Sequence, residues 1–96
     1  MGNKSVPKEL LEARDQIDQI DRNLVELLAE RFKLTHQVGV FKADQELNAL
    51  DESREAEKLE ELRRLCSDKG LNPELVTELF RRIMEEVVKN HKKLRQ

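Results

Sequence analysis

From about Pro7 to about Lys42 the apolar residues Leu10, Ala13, Ile17, Ile20, Leu24, Leu27, Leu34, Val38 and Phe41 follow one another in steps of three and four, with no proline inside the run. That spacing lines one face of a long α-helix. A polar stretch, Ala43 to Leu50, follows, and then Asp51 stands where an N-cap would open a second helix carrying Leu59, Leu62, Leu65 and Cys66. Gly70 is placed to stop it. A third start is marked by Asn72 as N-cap, Pro73 at the first helical position and Glu74 in the first turn. Val76, Leu79, Phe80, Ile83, Met84, Val87 and Leu94 give that helix its apolar face, and it should reach about Leu94. No run alternates as a strand would, so the pattern predicts an all-α fold of three helices, one long and two shorter.

Length constrains how such helices assemble. Roughly 35 helical residues at 1.5 Å each span about 50 Å, whereas a compact chain of this size is only about 32 Å across. The first helix therefore overhangs its own domain, and the expected cover for its apolar stripe is a second copy packed along it, a helical homodimer with a shared core. The chain is expected to form a single domain over residues 1–96, with about residues 1–6 as a flexible N-terminus.

Composition narrows the partners. With 18 Lys+Arg against 20 Asp+Glu and a formal net charge of −2, there is no bulk basic field for a nucleic-acid backbone or an anionic membrane surface. No apolar run is long enough to span a bilayer and MGNKSVPKEL has no apolar signal core, so a cytoplasmic protein is expected. Val6 stands where a myristoylation pattern wants Ser or Thr. A single cysteine, Cys66, excludes an intrachain disulfide, and two His with one Cys do not make a structural zinc site. Gly2, Gly39 and Gly70 are too far apart for a phosphate loop. No cofactor and no metal are called for.

Candidate chemistry comes from charges at positions where the pattern wants hydrophobes. At 100° per residue the apolar stripe of the first helix covers an arc from about 140° to 280°; Arg31 falls near 220°, Lys42 near 240°, and Arg14, near 320°, sits at its edge. Asp15, Asp18, Asp21, Arg22, Glu26, Glu30 and Lys33 lie on the opposite, solvent side. In the second helix Glu55 lies among the apolar positions with Arg54 flanking them, and in the third His91 lies one turn beyond Val87 on the apolar face. Taken singly each has a bland explanation: a buried cation pairs with a buried Glu, a lone His is a satisfied core residue, and Cys66 is a small hydrophobe. Taken together, Arg14, Arg31, Lys42, Arg54 and His91 face one inward carboxylate, Glu55. A cluster with that excess of positive charge points to a small polyanion as its partner. No inward Ser or Thr is paired with a base and no set of carboxylates suits a metal, so binding and electrostatic stabilisation would have to carry any catalysis. A non-catalytic helical dimer whose cations pair across the interface is the alternative of a different class.

These residues resemble the all-helical chorismate mutases. The matching segments are ARDQIDQIDRNLVELLAER with Arg14, Ile17 and Asp21, LLAERFKL with Arg31, Val38-Gly39 leading to Lys42, LDESREAEKLEEL with Asp51, Arg54 and Glu55, and LFRRIMEEVV in the third helix. The resemblance runs from about Leu10 to His91 and rests on the ordered set of Arg, Arg, Lys and Arg-Glu. It implies an intertwined dimer with two sites, each built from both chains, and the rearrangement of chorismate to prephenate, with no cofactor. By the same resemblance Arg31, and Arg14 from the other chain, clamp the two carboxylates of the substrate. Lys42 donates to the ether oxygen, Glu55 accepts from the ring hydroxyl with support from Asp51, and Arg54 lines the wall.

Two positions depart from that pattern. His91 stands where the family has a Gln as second donor to the ether oxygen, and Val87 where it has a small hydroxyl residue. His91 can still donate, so the rate should depend on pH through it. An isochorismate-pyruvate lyase would use a similar cationic pocket, and the run through Asp51, Arg54 and Glu55 favours the mutase over it. An enzyme activated by a partner of the same pathway is a further alternative.

Overall fold

The computed structural model describes residues 6–95 of the chain. Among them the elements are α1 (Lys8–Asp44), α2 (Glu52–Lys69) and α3 (Pro73–Lys93), and there is no strand. Of the expected N-terminal tail, residues 1–5 lie outside the described residues, and Val6 is exposed.

Each helix boundary has a local cause. The Asp51 carboxylate accepts from the backbone N–H of Arg54 at 3.0 Å, and the Asn72 side chain accepts from that of Glu74 at 3.0 Å, satisfying donors that a helix start otherwise leaves open. Pro73 follows Asn72 in the first turn of α3. At the end of α2, Gly70 takes a left-handed conformation (φ 69°), and Leu71 N–H returns to the Cys66 carbonyl at 2.9 Å. The end of α1 uses the same device with a less suited residue. Glu46 has φ 57°, its N–H bonds to the Ala43 carbonyl, and Leu47 N–H reaches the Lys42 carbonyl at 2.7 Å. The helix thus runs to Asp44, so Ala43, expected to open the polar stretch, is helical.

The chain divides into two compact units, Met1–Lys33 and Leu34–Gln96. In the described part of the first, α1 carries its apolar stripe in the open, and Leu28, Arg31 and Phe32 are half-buried. Its polar side holds short-range contacts, Lys8 with Glu12 at 3.9 Å and Gln19 with Asn23 at 3.1 Å.

The second unit comprises the last turns of α1 with α2 and α3. Here α2 packs on α3, and Leu62, Cys66, Thr77 and Met84 are buried, as are Gly39 and His91. The buried face is narrower than the sequence pattern implies: Leu65 and Leu79 stay about half exposed, at 49% and 52%. Two helices lying side by side bury the residues along their line of contact and leave those flanking it outside. Thr77, a polar residue, takes a core place because its hydroxyl is satisfied within its own helix, donating to the Pro73 carbonyl at 2.8 Å.

Candidate active site

Lys42 occupies the last turn of α1, where a cation complements the negative end of the helix. The Glu46 turn sends the chain back past it, and Lys42 Nζ donates to the Ala49 carbonyl at 3.4 Å. The Arg95 guanidinium donates to the Leu47 carbonyl, tying the same loop to the end of α3. Asp51 closes the loop by capping α2. The result is a pocket of about 730 Å³ lined by Lys42, Ala49, Leu50, Asp51, Ser53 and Lys92, among others. A second pocket, of about 370 Å³, is lined by Leu50, Glu55, Glu85, Val88, Lys89 and Lys92. Leu50 and Lys92 belong to both.

Two ammonium groups from different helices therefore border one pocket with the Asp51 carboxylate, and Glu55 borders the next. The two pockets carry Lys42, Lys89 and Lys92 beside Asp51, Glu52, Glu55 and Glu85, so ammonium donors and carboxylate acceptors stand side by side in them. Among the described residues no group of three or more His, Cys, Asp or Glu side chains is placed to hold a metal ion.

The residues singled out in the sequence divide as follows. Lys42 and Asp51 meet in the larger pocket and the half-buried Glu55 lies in the smaller. Arg54 is exposed and Val87 half-buried, and neither lines these two pockets. His91 is on the inner face that helical phase gives it, only 3% exposed, and also lines neither pocket. Its Nε2–H donates to the Thr35 carbonyl at 2.7 Å. Arg14, exposed, and Arg31, half-buried, belong to the first unit. Lys92 does not stand out in the sequence; its one signal is its place next to His91 in the last turn of α3.

The family model described as chorismate mutase type II matches residues 13–92, most of the chain. The chain belongs to the type II chorismate mutase family. It is 38% identical over 78 residues to a T-protein of Enterobacter agglomerans, covering 81% of this chain and 21% of that protein. It is 40% identical over 86 residues to a bifunctional chorismate mutase/prephenate dehydratase of Buchnera aphidicola, covering 90% of this chain and 22% of that one. A chorismate mutase of Methanocaldococcus jannaschii is 28% identical over 78 residues, covering 81% of this chain and 79% of that protein. The chain thus spans about one fifth of the first two relatives. No helix among the described residues is long and apolar enough to cross a membrane.

Proposed function

We propose that this chain is a chorismate mutase, converting chorismate to prephenate. The observation that carries the reading is the meeting of Lys42, from the end of α1, with the Asp51 cap of α2 in one pocket of a chain of this family. The reaction is unimolecular: the ether carbon–oxygen bond breaks as a carbon–carbon bond forms, and no proton or electron leaves the molecule. It therefore needs no acid, base or cofactor. It needs a flexible dianion folded into one compact conformer, and a donor fixed where negative charge grows on the ether oxygen.

In this reading Lys42 is that donor. Arg31, with Arg14 contributed by a second copy, clamps the two carboxylates. Glu55 accepts from the ring hydroxyl, Asp51 orders the start of α2 beneath it, and Arg54 lines the wall. His91 is the second donor to the ether oxygen and Val87 packs against the substrate. The assembly is an intertwined homodimer with sites shared between chains; the exposed apolar stripe of α1 supports it, because Ile17, Ile20, Leu24 and Leu27 are each more than half exposed. A cytoplasmic location goes with this reading, Cys66 being a free thiol.

The test is loss of chorismate absorbance with purified protein, run beside Arg31→Ala, with the product identified by acid conversion of prephenate to phenylpyruvate. Turnover by the wild type and none by the variant, with helicity retained, is expected. Normal turnover by the variant would remove Arg31 from the site. If chorismate is untouched, cleavage of isochorismate to salicylate and pyruvate would establish the lyase instead.

A further inference from the structure

Neighbouring residues near the end of α3 face different ways, because successive side chains on a helix are turned by about 100°. The His91 ring packs on α1: its Nε2 lies 2.7 Å from the Thr35 carbonyl oxygen, and a Cβ on Gly39 would lie 2.5 Å from its Cδ2, so the glycine is what leaves room for the ring. Lys92, the next residue, is exposed and borders both pockets of the candidate site. Lys42 lines the larger pocket and Glu55 the smaller; Leu50 and Lys92 are the wall they share.

In the mutase reading Lys42 donates to the ether oxygen of chorismate and Glu55 accepts from its ring hydroxyl. Those two oxygens sit on neighbouring ring carbons, so one bound molecule reaches from the larger pocket into the smaller and passes the shared wall. Leu50 offers that molecule an apolar surface, whereas the Lys92 ammonium offers three N–H donors. Lys92 and Glu55 line the smaller pocket together, yet among the described residues neither is in an ion pair. A hydroxyl suits the space between an ammonium and a carboxylate, because it accepts from the one while it donates to the other.

We propose that Lys92 is a substrate-binding residue that reads the ring hydroxyl together with Glu55: the hydroxyl donates to the Glu55 carboxylate and accepts from the Lys92 ammonium. The proposal rests on the mutase reading and adds to it a residue that selects for the hydroxyl and its position. A ring that lacks the hydroxyl, or carries it elsewhere, leaves both side chains short of a partner, and a site built to bond a hydroxyl discriminates strongly on that ground. Glu85 and Lys89 are the other charged groups of the smaller pocket. Both are exposed, and Lys89 does not border the Lys42 pocket, so Lys92 is the cation placed where the ether and hydroxyl edges of one ring meet.

The test is a cycle of substrates and variants on the full chain. For the wild type, Lys92→Met and Lys89→Met, kcat/KM is measured with chorismate and with the same molecule carrying hydrogen in place of the ring hydroxyl, the analogue being followed by turnover or as a competitor of chorismate. Lys92→Met should lower kcat/KM for chorismate about tenfold to a hundredfold, as loss of a hydrogen bond to a charged group does, and leave the analogue nearly unaffected. A side chain that acts through the fold, or through the general field of the pocket, costs both substrates the same factor, and that result would overturn the proposal. So would a hydroxyl-dependent loss in Lys89→Met with none in Lys92→Met. Absence of chorismate turnover by the wild type would defeat the mutase reading and the proposal with it, whereas turnover with equal losses for the two substrates would defeat the proposal alone.

Discussion

In the first unit the apolar residues of α1 stand in the open, Ile17, Ile20 and Leu24 at 55%, 57% and 54% exposed, whereas the second unit encloses Thr77, Cys66 and His91 at 2–3%. Both stretches are built from helices that carry an apolar face, and that of α3 is the most sharply set off from its polar side. The difference is that α2 and α3 have each other to pack on, while residues 6–33 form one helix, and a lone helix cannot bury its own stripe. Amphipathicity shows which face wants cover and says nothing about what supplies it. In the proposed dimer the first unit obtains from a second copy what the second unit finds within the chain.

Four changes separate these two kinds of packing. The largest effect should come from Leu24→Glu combined with Leu27→Glu, which sets two carboxylates into the open stripe; sedimentation should show the dimer lost at concentrations where the wild type holds together, because unpaired buried charge costs several kcal/mol. A dimer of unchanged affinity would mean that this stripe is not the interface. Next is Lys42→Ala, which touches neither core. It should lower kcat by about 10²–10³, or roughly 3–4 kcal/mol, with a much smaller rise in KM, since its contact strengthens as the ether bond breaks; equal changes in both would make Lys42 a binding residue only.

Met84→Ala should then destabilise the α2–α3 core by about 2–3 kcal/mol in denaturant titrations, Met84 being 8% exposed. A loss near zero would show the second unit to be as loosely packed as the first is open. The smallest effect is Glu46→Gly at the turn after α1. Relief of a left-handed conformation held by a residue with a Cβ should raise stability by about 1 kcal/mol, and a destabilised variant would show that the Glu46 side chain contributes more than the turn costs.

How legible these features were depends on how local their causes are. Asp51, Gly70, Asn72 and Pro73 mark their helix ends because capping and left-handed turns are decided within four or five residues. Glu46 makes the same kind of turn unseen, since nothing in a glutamate signals a positive φ. Thr77 does not read as a core position in the sequence, because its polarity hides that its hydroxyl is satisfied by Pro73, one turn back. Lys42, Asp51 and Glu55 were legible as candidates by phase, capping and resemblance, while Lys92, offset by 100° from His91, was not. Gly39 could have been noticed as a glycine deep in a long helix, but not what it makes room for.

By itself, then, the sequence determined the three helices, their order and most of their ends, and the inward phase of Lys42, Glu55 and His91, because periodicity and capping act through neighbours a few residues apart. The tertiary structure decided which side chains share a pocket, and that the His91 N–H goes to Thr35 across 56 residues of chain. Those outcomes depend on how α1, α2 and α3 meet in the second unit, which no local pattern encodes. The physical reason is that a side chain's chemistry is set by the atoms that desolvate it and bond it, and for His91 those atoms come from a different helix.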